Sequence, residues 1–158
     1  MERDIALLRH TLATVAYRAA KALRGAPKEF AEYQCNEGTR RPEQIVAHMG
    51  DLYDWALSIA RGNEAWSPSK PLPWEQEVER FFKALKTFDD YLASGTPMAV
   101  TAEKLFQGAI ADSLTHIGQV AMLRRMHGSP VKGESYYRAQ IEVGRLGTDQ
   151  ATPKREFD

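Results

Sequence analysis

The sequence predicts an all-α fold: a four-helix bundle with a long connection between its first two helices and an irregular C-terminal tail. Three observations carry this. Apolar residues recur at the helical period of 3–4 in separate long stretches. Glycine and proline fall between those stretches, where they stop helices. One stretch, Leu105–Arg125, has no Lys, Arg or Glu between Leu105 and Leu123. A surface helix normally keeps a charged face, so this one should be covered on most sides. The 158 residues suit one domain. The bundle should occupy residues 1–146, with 147–158 a disordered tail.

The first helix runs from about Arg3 to Arg24, with Ile5, Leu8, Leu12, Val15, Ala16, Ala19 and Leu23 as its apolar stripe. His10, Thr14, Tyr17 and Lys21 lie on its other side, where His10 reads as a solvated surface histidine. Gly25 and Pro27 end it. Residues 26–40 are too polar for a core element, and Phe30 and Tyr33 should pin them to the bundle. A connection this long can cross the bundle end, so the first two helices need not be antiparallel neighbours. Cys35 lies in it with no motif to activate the thiol, and reads as incidental.

Pro42 suits the first position of the second helix, and Glu43 the positive end of its dipole. Arg41 makes a weak cap. The apolar face is Ile45, Met49, Leu52, Trp55, Ala56 and Ile59, and His48 falls on it. Asp51 and Asp54 are possible acceptors for an imidazole, with solvation the better role for Asp54. The helix stops at Gly62. In the next connection Trp66 should act as a lid over the bundle end. The third helix, from about Pro73 to Ala93, carries a heavy aromatic core stripe including Trp74, Phe81, Phe82 and Phe88. Its solvated side is Lys83, Lys86, Asp89 and Asp90. The fourth helix ends on Arg124, Arg125 and His127, cations that suit the last turn, before Gly128 and Pro130.

Composition excludes several functions. The 21 basic and 21 acidic residues cancel, which argues against a nucleic-acid or anionic-membrane surface. No apolar run approaches the ~20 residues that span a bilayer. The start, MERDIALLRH, lacks a signal-peptide layout. The single cysteine excludes an internal disulfide and suits a reducing cytoplasm. There is no phosphate loop, dinucleotide fingerprint, cysteine-pair zinc site or H-E-x-x-H, nor the paired E-x-x-H of di-iron bundles.

Chemistry concentrates on the fourth helix. Asp112, His116 and Gln119 fall within roughly 60° of arc on it. Asp112 and His116 are four apart, so their side chains meet. Buried polar groups need partners. One reading is a carboxylate–imidazole hydrogen bond that fixes packing. The other is two metal ligands, with His48 of the second helix as the third. Two imidazoles and a carboxylate with open positions suit divalent iron or zinc. A stripe of small residues, Gly108, Ala111, Thr115 and Gly118, would let a neighbouring helix approach closely.

The stretches RRPEQIVAHMGDLYDWAL and GAIADSLTHIGQVAMLRRMHGSP resemble the DinB-like (DinB/YfiT-like) four-helix-bundle family, and the resemblance covers most of the chain. It implies a divalent metal held by one histidine of the second helix and an H-x-x-x-H pair near the fourth. His48 matches the first position and His116 the second histidine of the pair. Asp112 stands where the family has the other histidine, a departure that gives the site harder preferences and less positive charge. The metal would be zinc, nickel, iron or manganese. The resemblance also implies a thiol transferase that uses a low-molecular-weight thiol on a small-molecule substrate, and a homodimer. Gln119 could then hydrogen-bond a metal-bound water or substrate, with Tyr53 and Trp55 lining the pocket. Two alternatives remain open. One is a metal-free, non-catalytic bundle in which His48, Asp112 and His116 form a closed network. The other is a thiol- or metabolite-binding protein without turnover.

Overall fold

The computed structural model describes residues 2–157. Helix α1 spans Glu2–Leu23, α2 Pro42–Ala60 and α3 Trp74–Ala93. The fourth member of the bundle is broken. A single turn, α4 (Ala102–Leu105), runs into a π-helical segment, Phe106–Ile110, and then into α5, Ala111–Met126. The expected single helix over Leu105–Arg125 is therefore corrected. Gly108 has non-helical dihedrals (φ −88°, ψ −106°), and the axis kinks there. A widened turn of this kind is a common feature near functional sites, and here it sets the direction in which α5 leaves.

Each of α1 and α2 packs against both α3 and α5. The first two helices thus sit diagonally across the bundle, and residues 26–41 cross its end, as their length predicted. A 3₁₀ turn at Lys28–Glu32 seats Phe30 in the core. The remaining core comes from the expected stripes, Leu12, Val15 and Ala19 of α1, Met49 and Leu52 of α2, and Phe81, Leu85 and Phe88 of α3, while the fourth member adds Ile110, Ile117 and Val120. At the start of α2, Gln44 accepts a hydrogen bond from the backbone N–H of Arg41 at 2.9 Å. That half of a capping box satisfies a donor the sequence reading left weakly capped. Gly62 and Gly128, at φ 77° and 82°, take the left-handed conformation that ends α2 and α5.

Three surface assignments change. Asp89 is buried, because Arg9 of α1 binds both its oxygens at 2.9 Å. Tyr17 and Lys21 are buried because the C-terminal segment folds over them. The expected disordered tail, 147–158, holds a described strand, β2 (Glu156–Phe157), antiparallel to β1 (Gly133–Glu134). Lys21 donates to Glu134 at 2.8 Å and Glu156 at 2.7 Å, and the Tyr17 hydroxyl also donates to Glu134. Composition reads residues 147–158 as disordered because they bury little. A charged anchor needs no apolar stripe.

Arg124 is buried too, but it serves another helix's end. It donates to the carbonyls of Ala22 and Arg24 at 3.0 Å, at the last turn of α1, and to Ser129 O at 2.7 Å. His127 packs edge-on against Phe30 and Tyr33 and contacts Ser129 Oγ at 3.0 Å, which gives it a structural role. No described helix is long and apolar enough to cross a membrane.

Candidate metal centre

His48 sits in the second turn of α2, on the face turned toward α5. Asp112 lies in the first turn of α5, just after the kink, and His116 one turn later. The diagonal arrangement of α1 and α2 makes α2 and α5 neighbours, so these side chains meet across one helix interface. Asp112 straddles both rings. Its Oδ2 lies 3.4 Å from His48 Nε2 and its Oδ1 lies 3.4 Å from His116 Nε2. The rings stand edge to face with centroids 4.8 Å apart. The three donor groups lie within 4.8 Å of one another.

Hydrogen bonding fixes one tautomer. Gln119 Oε1 lies 2.8 Å from His116 Nδ1. A carbonyl oxygen can only accept, so Nδ1 carries a proton, and Nε2 is the ring nitrogen that faces Asp112. Burial lowers the pKa of His48, and the charges of Arg40 and His116 push the same way, against the opposing pull of Asp112. His48 is therefore neutral at neutral pH, the state a metal ligand requires.

The donor set fits a divalent ion. Two ligands about 2.1 Å from a shared centre, at a tetrahedral angle, stand about 3.4 Å apart. Each ring nitrogen lies at that distance from Asp112, His48 from Oδ2 and His116 from Oδ1, so a small shift of the carboxylate would bring one oxygen and both nitrogens around a single ion. The same length is poor for a hydrogen bond, whose N···O separation centres near 2.9 Å. His116 is buried, His48 is partly buried, and the Asp112 side chain is 45% exposed. The site is thus most open at the carboxylate. Trp66 covers His48 at 5.6 Å between centroids and stacks edge-on against Trp55 at 6.0 Å. The sequence suggests a lid over the bundle end; the structure sets the half-exposed Trp66 against His48 and Trp55.

Other expected participants are placed elsewhere. Tyr53 is fully buried, its hydroxyl 2.5 Å from Ser113 Oγ, so it packs the core and lines no pocket. Asp51 accepts from the Ser69 backbone at 3.2 Å and pairs with Arg80 at 3.0 Å, and it orients no imidazole. Asp54 is solvated, as expected, and His10 is exposed. The small-residue stripe is no helix seam within the chain. Gly108 faces Trp55, but Thr115 and Gly118 are exposed, and a Cβ at Gly118 would meet nothing within 4 Å. This face of α5 instead lines a cleft of about 650 Å³, together with Cys35, Arg40 and Ile45. Sequence reasoning passed over Arg40. It falls in a loop, where no periodicity says which way a side chain points.

Fold and site define a helical bundle with a candidate His–Asp–His metal centre between its second and fourth members. No family model, no curated protein and no solved structure matches the chain.

Proposed function

We propose that the chain is a DinB-like protein that binds one divalent metal ion through His48, Asp112 and His116, and that it transfers a low-molecular-weight thiol to a small molecule. The observation that supports the metal is the donor grouping: His48 and His116 each lie 3.4 Å from an oxygen of Asp112, all three donors fall within 4.8 Å, and the His116 Nδ1 bond to Gln119 leaves Nε2 facing inward. The thiol chemistry rests on the sequence resemblance. A bound ion would lower the pKa of a coordinated thiol and hold it as a thiolate at neutral pH.

The chain's own residues supply the rest. Gln119 keeps His116 in the ligating tautomer. Trp66 and Trp55 shield the His48 side from water. Asp112, at the open edge, offsets part of the ion's charge. The adjoining cleft gives a substrate access to the imidazole side at His116 and Gln119. A closed network of His48, Asp112 and His116 explains the contacts less well, since their separations are long for hydrogen bonds and the carboxylate is open to water.

Elemental analysis of untagged protein tests the metal. One equivalent of zinc, nickel, iron or manganese is expected in the parent, lost in His48→Ala, Asp112→Ala and His116→Ala. Protein that takes up none of these ions on reconstitution overturns the reading. Thiol transfer is tested next on the loaded protein, with His116→Ala as the inactive control. Full activity in that folded variant removes the proposed mechanism.

A further inference from the structure

The cleft beside the candidate metal centre runs along α5 from His116 and Gln119 toward Met122 and Met126. Its opposite wall is the connection that precedes α2. At about 1.5 Å per residue the run from His116 to Met126 measures about 15 Å. The far part is apolar, with Met122, Leu123 and Met126 facing it. Met122 and Met126 are more than half exposed, although each is a large hydrophobic side chain. Methionine is an adaptable lining for a binding surface.

The near part is polar and cationic. Arg40 lines it and has no ion-pair partner among the described residues. Its neighbour Arg41 pairs with Glu43 at 3.3 Å. Arg40 and His116 line the same cleft. A guanidinium beside a cation-binding cluster is electrostatically unfavourable unless an anion comes between them. An ion on two neutral imidazoles and one carboxylate would leave a net positive charge, and Arg40 adds another. Arg is the residue whose planar fork matches a carboxylate with two parallel hydrogen bonds.

We infer that this cleft binds a small amphipathic carboxylate, with its anion between Arg40 and His116 and its apolar body along Met122, Leu123 and Met126. This deepens the proposed function by assigning the substrate class. It rests on that reading for what the carboxylate lies against, while the anion contact belongs to Arg40.

The test uses hexanoate and its neutral isostere hexanamide as probes, on zinc-loaded and on metal-free protein, in buffer without other carboxylates. Amide-resolved NMR titration reads both affinity and place, through the Thr115 and Gly118 backbone signals. Hexanoate should bind about tenfold or more tighter than hexanamide and shift those signals. Arg40→Gln should abolish the preference, and Arg40→Lys should keep part of it. Arg40 is exposed in a loop, so these variants fold. The preference should persist, weakened, in metal-free protein. Failure of the metal reading shows as no zinc uptake and leaves the metal-free comparison to decide. Equal binding of the two probes, no binding, or a preference unchanged in Arg40→Gln overturns the inference.

Discussion

Gln119 accepts a hydrogen bond from Nδ1 of His116 at 2.8 Å, and this contact decides which ring nitrogen faces Asp112. Three residues along a helix separate them, so the contact needs no tertiary structure to form. Replacing Gln119 with Leu frees the ring to take either tautomer and removes the acceptor that raises its basicity. Metal affinity should fall about 10- to 100-fold, with melting temperature nearly unchanged. Competition titration against a chelator of known affinity measures it. Wild-type affinity in Gln119→Leu would mean the contact only packs the surface.

Trp66 lies against His48, with centroids 5.6 Å apart. A paramagnetic ion such as nickel or copper held by His48 would therefore sit close to its indole and quench it. Tryptophan fluorescence should drop on titration with nickel, and Trp66→Phe should lose most of that change. A full response in Trp66→Phe would place the ion away from this lid.

Gly50 matters through Arg80. A Cβ at position 50 would stand 2.7 Å from Arg80 Nη2. That nitrogen crosses α2 to donate to Ala47 O at 2.5 Å, while the same guanidinium meets Asp51 at 3.0 Å and the buried Glu77 at 3.3 Å. A side chain tied at this many points cannot swing aside freely. Gly50→Ala should therefore destabilise by about 1–3 kcal/mol, despite the helix preference of alanine. Chemical denaturation checks it, and a stabilised variant would show the arginine to be loosely held.

The helices were legible because burial repeats with a period the sequence displays. Leu12, Met49 and Phe88 were placed in the core by spacing alone, and the structure buries all three. The metal cluster was half legible. Asp112 and His116 meet by local geometry, whereas His48 joins them through the packing of α2 on α5, which only the diagonal arrangement supplies. The break at Gly108 was not legible. One glycine among Phe106, Ala109 and Ile110 leaves the helical period intact while the backbone departs from it. Asp89, Tyr17 and Lys21 were misplaced for one physical reason. Each is polar, so pattern alone leaves it in solvent, and each is buried by a charged or hydrogen-bonding partner distant in the chain.

That last arrangement predicts how the C-terminal segment responds to pH. Burial by itself would lower the pKa of Lys21, but its hydrogen bonds to Glu134 and Glu156 outweigh this, and the net direction is up from 10.5. Glu156 moves down from 4.5, chiefly through its hydrogen bond to Lys21. A raised lysine stabilises below its unfolded value and loses that contribution as pH rises through the folded value. A lowered carboxylate stabilises above its unfolded value and loses it as pH falls through the folded one. The β1–β2 pairing should therefore be best protected between about 4.5 and 10.5 and weaken beyond either end. Hydrogen exchange of Ser135, whose N–H bonds Arg155 O at 3.0 Å, reports it directly once intrinsic exchange rates are divided out. Lys21→Ala leaves the buried Glu134 without its cation and should cost about 3–5 kcal/mol. In that variant the alkaline loss of protection should shrink, and what remains belongs to Tyr17, whose pKa burial and its hydrogen bond to Glu134 raise. Protection of Ser135 that is flat with pH in the parent protein would mean that the strand pairing, and not Lys21, holds the segment down.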